Sequence, residues 1–224
     1  MPFIGSVEGA FGYGRPVQAS QSTVEFTYSN FQNTTGLELV SVATPTTPNY
    51  WMYLTTAVGG DVGNVYRAST ITYNRNFSFQ WNFECSGGST PPADGFCLQW
   101  TTTNNTNGAP GGGVGFLGAS AYQGFTFLTY TNNILTWYKN GISQSNLSVA
   151  SNTFRSNSYY WADYNHAAST MKIYYSTGTT KPATVNFSTV GFLFNATPYY
   201  IGFGAATGGA TDNHILKSMT LTFT

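Results

Sequence analysis

Apolar and polar residues alternate with a period of two over many short stretches of this chain. The clearest run is Asn76 to Cys85, where Phe77, Phe79, Trp81, Phe83 and Cys85 interleave with Asn76, Ser78, Gln80, Asn82 and Glu84. In an extended chain, alternate side chains point to opposite faces, so this pattern predicts a strand with one buried face. Val24-Phe26-Tyr28, Met171-Ile173-Tyr175, Tyr199-Ile201-Phe203-Ala205 and the closing Met219-Leu221-Phe223 repeat it. Phe125-Phe127 and Ile134 to Tyr138 predict a further pair near the middle. Asn140-Gly141, a favoured two-residue hairpin turn, follows the second of these. Gly59-Gly60-Asp61, Ser86-Gly87-Gly88 with Pro91-Pro92, and Gly208-Gly209 mark other loops. No amphipathic helix longer than two turns is predicted. Many short strands divided by such loops predict an all-β sandwich, closed by pairing between the two ends of the chain.

Composition narrows this picture. At 224 residues the chain suits one large sandwich, with enough buried surface to form a core without staples. Only eight basic and eight acidic residues occur, against five Trp, 16 Tyr and 17 Phe. Scarce Lys and Glu disfavour helices, and neutral polar residues suit the solvent faces of strands. A formal net charge of zero without a basic cluster lacks the electrostatic footprint of nucleic-acid binding or of docking on anionic membranes. No apolar run approaches the roughly 18 residues that a membrane span needs. Met1-Pro2-Phe3-Ile4-Gly5 carries neither the basic segment nor the apolar stretch of a signal peptide. Residues 1–20, with Gly-Ala-Phe-Gly-Tyr-Gly-Arg-Pro at 9–16, read as a Gly/aromatic N-terminal arm, and residues 21–224 as the sandwich domain. The arm fits either a segment lying on the sandwich or an anchor for a homo-oligomer or larger assembly.

Four segments, in this order, carry a resemblance: Ala93-Asp94-Gly95-Phe96; Gly111-Gly112-Gly113-Val114-Gly115-Phe116-Leu117-Gly118; Thr129-Tyr130-Thr131-Asn132; and Tyr200-Ile201-Gly202-Phe203-Gly204-Ala205-Ala206-Thr207-Gly208-Gly209 followed by His214-Ile215-Leu216. Together they resemble the L-type lectins, the group of the legume lectins and the secretory-pathway cargo lectins. The last is similar to that family's "VGFSAATG…HxILSW" ending. Taken singly, Asp94 fits a plain turn before Gly95, Tyr130 fits packing, and Gly111–Gly115 fits a loop with no ligand.

The resemblance implies a concanavalin-like jelly-roll β-sandwich of two large antiparallel sheets, with carbohydrate as the ligand. It implies that Asp94, after a cis Ala93–Asp94 peptide bond, accepts hydrogen bonds from two adjacent sugar hydroxyls. A carboxylate suits this because it only accepts, and charge-assisted bonds are the stronger kind. Gly113, Val114 and Gly115 match the loop whose backbone N–H reaches a sugar hydroxyl. Tyr130 matches the aromatic that stacks on the sugar ring, and Asn132 the amide beside it. Gly208, Gly209 and Asp212 fall in the last, variable loop. The arm also faintly resembles the starts of proteins from large DNA viruses, in which lectin-like sandwiches decorate virions. A cell or virion surface is the location this implies.

The chain departs from the family at the metal. Metal-dependent legume lectins carry E-F-D-T-x-x-N before this site, where this chain has Thr126-Phe127-Leu128-Thr129-Tyr130-Thr131-Asn132. Thr126 replaces the Glu and Leu128 the Asp. Calcium takes six to eight oxygens including carboxylates, so the family's paired site cannot be built as usual, and a hydroxyl and carbonyl cage or a metal-free loop held by hydrogen bonds would substitute. No metal dependence and no cofactor are expected. Nor does any E-x-D-x-E run place an acid and a nucleophile in one cleft, so the chain is not expected to be an enzyme. A distant pairing of Glu84 with Asp94 or Asp163 is the remaining route to hydrolysis, and His214 is expected to cap the last strand. Cys85 shares a face with Phe83 and Trp81, whereas Cys97 lies opposite Phe96 and Leu98. Paired directly across neighbouring strands, their Cβ vectors would diverge, so free thiols are expected unless a bulge intervenes. The sequence reading is therefore a glycan-binding protein without a metal. Its alternatives are a structural surface or virion component that reuses the fold without binding sugar, and a glycan-active hydrolase.

Overall fold

The computed structural model describes residues 22–119, 121–130, 133–195 and 197–224. Two antiparallel sheets pack face to face. The first contains β1 (Thr23–Tyr28), β3 (Thr44–Thr46), β4 (Trp51–Thr55), β6 (Phe77–Ser86), β11 (Ser158–Asn165), β12 (Thr170–Ser176), β13 (Phe187–Val190) and β15 (Asn213–Phe223). Its order is β13-β12-β11-β6-β15-β4-β3, with β1 beside the C-terminal half of β15. The second contains β2 (Leu37–Ser41), β5 (Val62–Arg67), β7 (Gly95–Thr101), β8 (Ala121–Leu128), β9 (Ile134–Lys139), β10 (Ile142–Ser148) and β14 (Tyr200–Ala206), ordered β10-β9-β8-β7-β14-β5-β2. This is the predicted jelly-roll sandwich, and the pairing of β1 with β15 joins the two ends of the domain as expected. The N-terminal arm lies outside the described residues.

The alternating residues of β6 form the floor of the core: Phe77, Phe79, Trp81, Phe83 and Cys85 all point between the sheets. Phe96, Leu98 and Trp100 of β7, Phe125 and Phe127 of β8, and Ile201 and Phe203 of β14 meet them from the other side. Phe83 stacks on Phe96 with ring centroids 3.9 Å apart, and Phe96 stacks on Phe127 at 4.5 Å. Such pairs add about 0.5–1.5 kcal/mol each beyond the area they bury. They also clamp the start of β7, so the residue just before it, Asp94, begins from a rigid base.

Two expectations change. Val24 is 59% exposed rather than on the core face with Phe26. The register of β1 against β15 shifts between Val24 and Phe26, so one extra residue flips the parity between them. Cys85 and Cys97 are free, as expected, but for a different reason. Their strands are not neighbours in one sheet: β6 and β7 belong to opposite sheets. Cys85 lies in the core, whereas Cys97 packs on the far face of its sheet with Val114 and Phe116. That far face is itself covered by residues 102–119, which is why every residue of β7 is buried.

Candidate functional site

Four connections meet beside Asp94: the β6–β7 loop that ends at it, residues 102–119 between β7 and β8, the β8–β9 turn, and the β14–β15 loop. The Ala93–Asp94 peptide is cis. The Asp94 N–H donates to the Ala206 carbonyl at 3.0 Å, and the Thr129 N–H donates to the Asp94 carbonyl at 2.9 Å. Gly111 N–H donates to the Thr207 carbonyl at 3.0 Å. These backbone bonds tie all four connections to one another around the carboxylate.

Asp94 is 9% exposed, and its Oδ2 is buried without a hydrogen-bond partner. Burial raises its carboxyl above the ordinary aspartate range. A methyl group on Gly208 would stand 2.9 Å from that Oδ2 and 3.4 Å from Gly111 Cα, so only glycine fits at that contact without displacing the carboxylate. Tyr130, one residue beyond the Thr129 anchor, is 43% exposed. Asn132 lies outside the described residues.

The glycine loop is a short 3-10 turn, Gly111–Gly113, closed by Val114 in the left-handed region at φ 45°. Gly113, Val114 and Gly115 are buried, and their N–H groups donate to the carbonyls of Pro110, Gly111 and Ala109. Val114 packs on Cys97 and Phe116. The surface of the turn is instead Gly112, which is exposed with open space around it. The underside is held by polar side chains of the second sheet. Asn64 Nδ2 donates to the Gly115 carbonyl at 3.1 Å, and the Tyr66 hydroxyl donates to the Thr106 carbonyl at 2.8 Å. Gln99 Nε2 donates to the Tyr66 hydroxyl at 3.1 Å.

In the last loop, Gly209 faces open space, while Gly208 N–H donates to the Ala210 carbonyl at 3.1 Å. Asp212 is fully buried and turned inward, where its Oδ1 accepts the Gly88 N–H at 3.1 Å. Burial lifts its carboxyl to about 6, against the pull of Arg155. His214 is the second residue of β15 and is fully buried, with Nδ1 2.7 Å from the Thr55 hydroxyl. Burial drops its pKa to about 3, so the ring is neutral. Arg155 belongs to no motif, and Gly112 lies inside the glycine motif without being singled out by it. Their roles arise from which loops meet, which no local pattern encodes.

The positions that the resemblance assigns to metal ligands hold Thr126, buried with its hydroxyl unpartnered, and Leu128, packed against the cluster of Val114 and Phe116. A hydroxyl and an isobutyl group do not supply the carboxylates that calcium needs. Among the described residues no three His, Cys, Asp or Glu side chains are grouped. Two further acids are separately engaged. Glu84 binds Lys217 at 2.5 Å and accepts from Ser86, and Asp163 pairs with Lys181 and accepts from Ser78. Both face outward from the first sheet, and they lie six residues apart in strand register.

No protein-family profile matches the chain, and no curated protein sequence matches it. Solved structures do. A lectin from Bauhinia forficata in complex with GalNAc superposes with a TM-score of 0.77 at 18% identity, covering 91% of this chain and 99% of that one. Arcelin-5, a lectin-like defense protein from Phaseolus vulgaris, gives 0.76 at 15% identity, covering 91% and 98%. The exoplasmic/lumenal domain of VIP36 in its Ca2+/Man3GlcNAc-bound form gives 0.69 at 15% identity, covering 87% and 86%. At these identities the likeness is one of fold, and the chain has the L-type lectin fold, the concanavalin-like jelly roll.

Proposed function

We propose that this protein is a lectin that binds a glycan at the Asp94 site without a metal. The observation that carries the reading is the Asp94 carboxylate itself. It is desolvated, lacks a hydrogen-bond partner at Oδ2, and stands at the meeting point of four connections. A buried acceptor left unmatched costs about 1–3 kcal/mol, and sugar hydroxyls are donors that would relieve it. Tyr130 supplies an exposed ring for the apolar face of a sugar, and Gly112 and Gly209 leave backbone within reach. Asn132 is the amide the resemblance adds. Gly113, Val114 and Gly115 shape the turn from beneath, and Gly208 sets the space above the carboxylate.

Backbone bonds from Asp94 to Ala206 and from Thr129 to Asp94 take the place of metal coordination in holding the site. A shallow site of this kind binds weakly as a monomer, so clustering of copies through residues 1–20 would raise its avidity. A second reading, a surface or virion component that has kept the fold and lost sugar binding, is favoured by Thr126 and Leu128 at the metal positions. A glycan array with the purified protein, repeated with Asp94→Ala and with chelator, separates the two. The lectin reading expects binding that Asp94→Ala abolishes and chelator leaves intact. An array with no bound glycan would sink it in favour of the second reading.

A further inference from the structure

We infer that the part-exposed Arg155 and the buried Asp212 form a post that positions the loops of the Asp94 site. The inference rests on the proposed glycan site for its functional meaning, and on loop geometry for its structure.

Arg155 lies in the β10–β11 loop and Asp212 at the end of the β14–β15 loop, with Nε 3.8 Å from Oδ2. Each partner also reaches the β6–β7 loop: Asp212 Oδ1 accepts the Gly88 N–H at 3.1 Å, and an Arg155 terminal nitrogen donates to the Ser89 carbonyl at 3.4 Å. The two loops then run side by side. Ser89 N–H donates to the Thr211 carbonyl and Thr211 N–H donates to the Ser89 hydroxyl, both at 2.8 Å. The approach is close enough that a methyl group on Gly88 would stand 1.8 Å from the Thr211 carbonyl oxygen. At the far end of the same loop, Asp94 N–H donates to the Ala206 carbonyl. Segment 88–94 is thus fastened at both ends to segment 206–212, with Gly208 over the Asp94 carboxylate between the two fastenings.

Charge explains why the post needs both partners. Asp212 is fully buried, and the ionisable groups near it are Glu84 and Cys85 on β6, His214 on β15, and Arg155. Arg155 is the one cation in that set, since His214 is neutral and Glu84 is an anion held by Lys217. Without Arg155 the Asp212 carboxylate is a buried charge with no counter-ion, and loops at a protein's edge relieve such a charge by opening to water. Asp212 is fully buried, and Arg155 is directed at Asp212 and the Ser89 carbonyl, so both are assigned as positioning residues.

Amide hydrogen exchange on the full chain tests this without a ligand. Arg155→Met and Asp212→Asn are expected to speed exchange at Gly88, Ser89, Asp94 and Thr211 by about tenfold or more, and to leave Trp161 and Ile173 in the first sheet unchanged. Arg155→Lys, which keeps the charge, is expected to restore part of the protection, and it also serves should Arg155→Met fail to fold. Unchanged exchange across residues 88–94, or an equal rise throughout β11 and β12, would overturn the inference. For any glycan the wild type binds, Arg155→Met is expected to weaken Kd at least about tenfold. An unaltered Kd despite loosened loops would overturn it too. A wild type that binds no glycan defeats the glycan reading alone, because the exchange result still decides whether the post exists.

Discussion

Asp94→Ala is expected to make the protein more stable at neutral pH while removing its ligand site. In the wild type the carboxylate is nine-tenths buried, its Oδ2 has no partner, and Gly208 and Gly111 close over it. An unmatched buried acceptor costs about 1–3 kcal/mol, and truncation to alanine removes it while forfeiting few apolar contacts. The net expectation is a gain of about 1 kcal/mol, or about 2–4 °C in Tm for a domain of this size. The sign of the pH dependence follows from linkage. Burial raises the folded-state pKa of Asp94 above its unfolded value, so the native state holds its proton more tightly. The wild-type penalty is therefore full above the folded pKa and disappears as pH falls through it toward the unfolded value. Urea denaturation of both proteins at neutral pH and near pH 4 checks this: the advantage of Asp94→Ala should shrink on acidification. A variant less stable than wild type by 1 kcal/mol or so at neutral pH would refute the reasoning, because it would mean the carboxylate is satisfied in the native state.

Three further outcomes are expected. Gly208→Ala should weaken glycan binding at least about tenfold, because its methyl meets Asp94 Oδ2 at 2.9 Å, with glycan titration as the measurement. Tyr130→Ala should lower affinity by a similar factor with Tm changed by less than about 2 °C, since the ring is largely exposed and contributes little to the core. Cys85 and Cys97 are buried and desolvation pushes both thiols up, so neither should react with a thiol reagent in the native protein and both should react in denaturant.

Much of the sandwich was legible along the chain, because a period of two depends only on the local backbone. Phe77 to Cys85, Met219 to Phe223 and the Asn140-Gly141 turn are found where the pattern predicts them. The loops of the site were legible only as an ordered set of short motifs, since glycine-rich segments are common in this composition. What local pattern does not encode is which strands become neighbours. Local pattern places the strands of Cys85 and Cys97 side by side, whereas the chain crosses between sheets there. Val24 faces solvent because of a bulge, and a bulge depends on the partner strand. Asp212 reads as a candidate sugar contact in the last, variable loop, yet it is buried against Gly88 and against Arg155, which lies 57 residues earlier in the chain than Asp212. By itself, then, the sequence determined the strands, the fold class and Asp94 as the candidate ligand-binding residue. Tertiary structure alone decided that Gly112 rather than Gly113 to Gly115 lies at the surface, and that an ion pair sits beneath the loops. Both depend on contacts between segments far apart in the chain, and alternation within a segment carries no information about those.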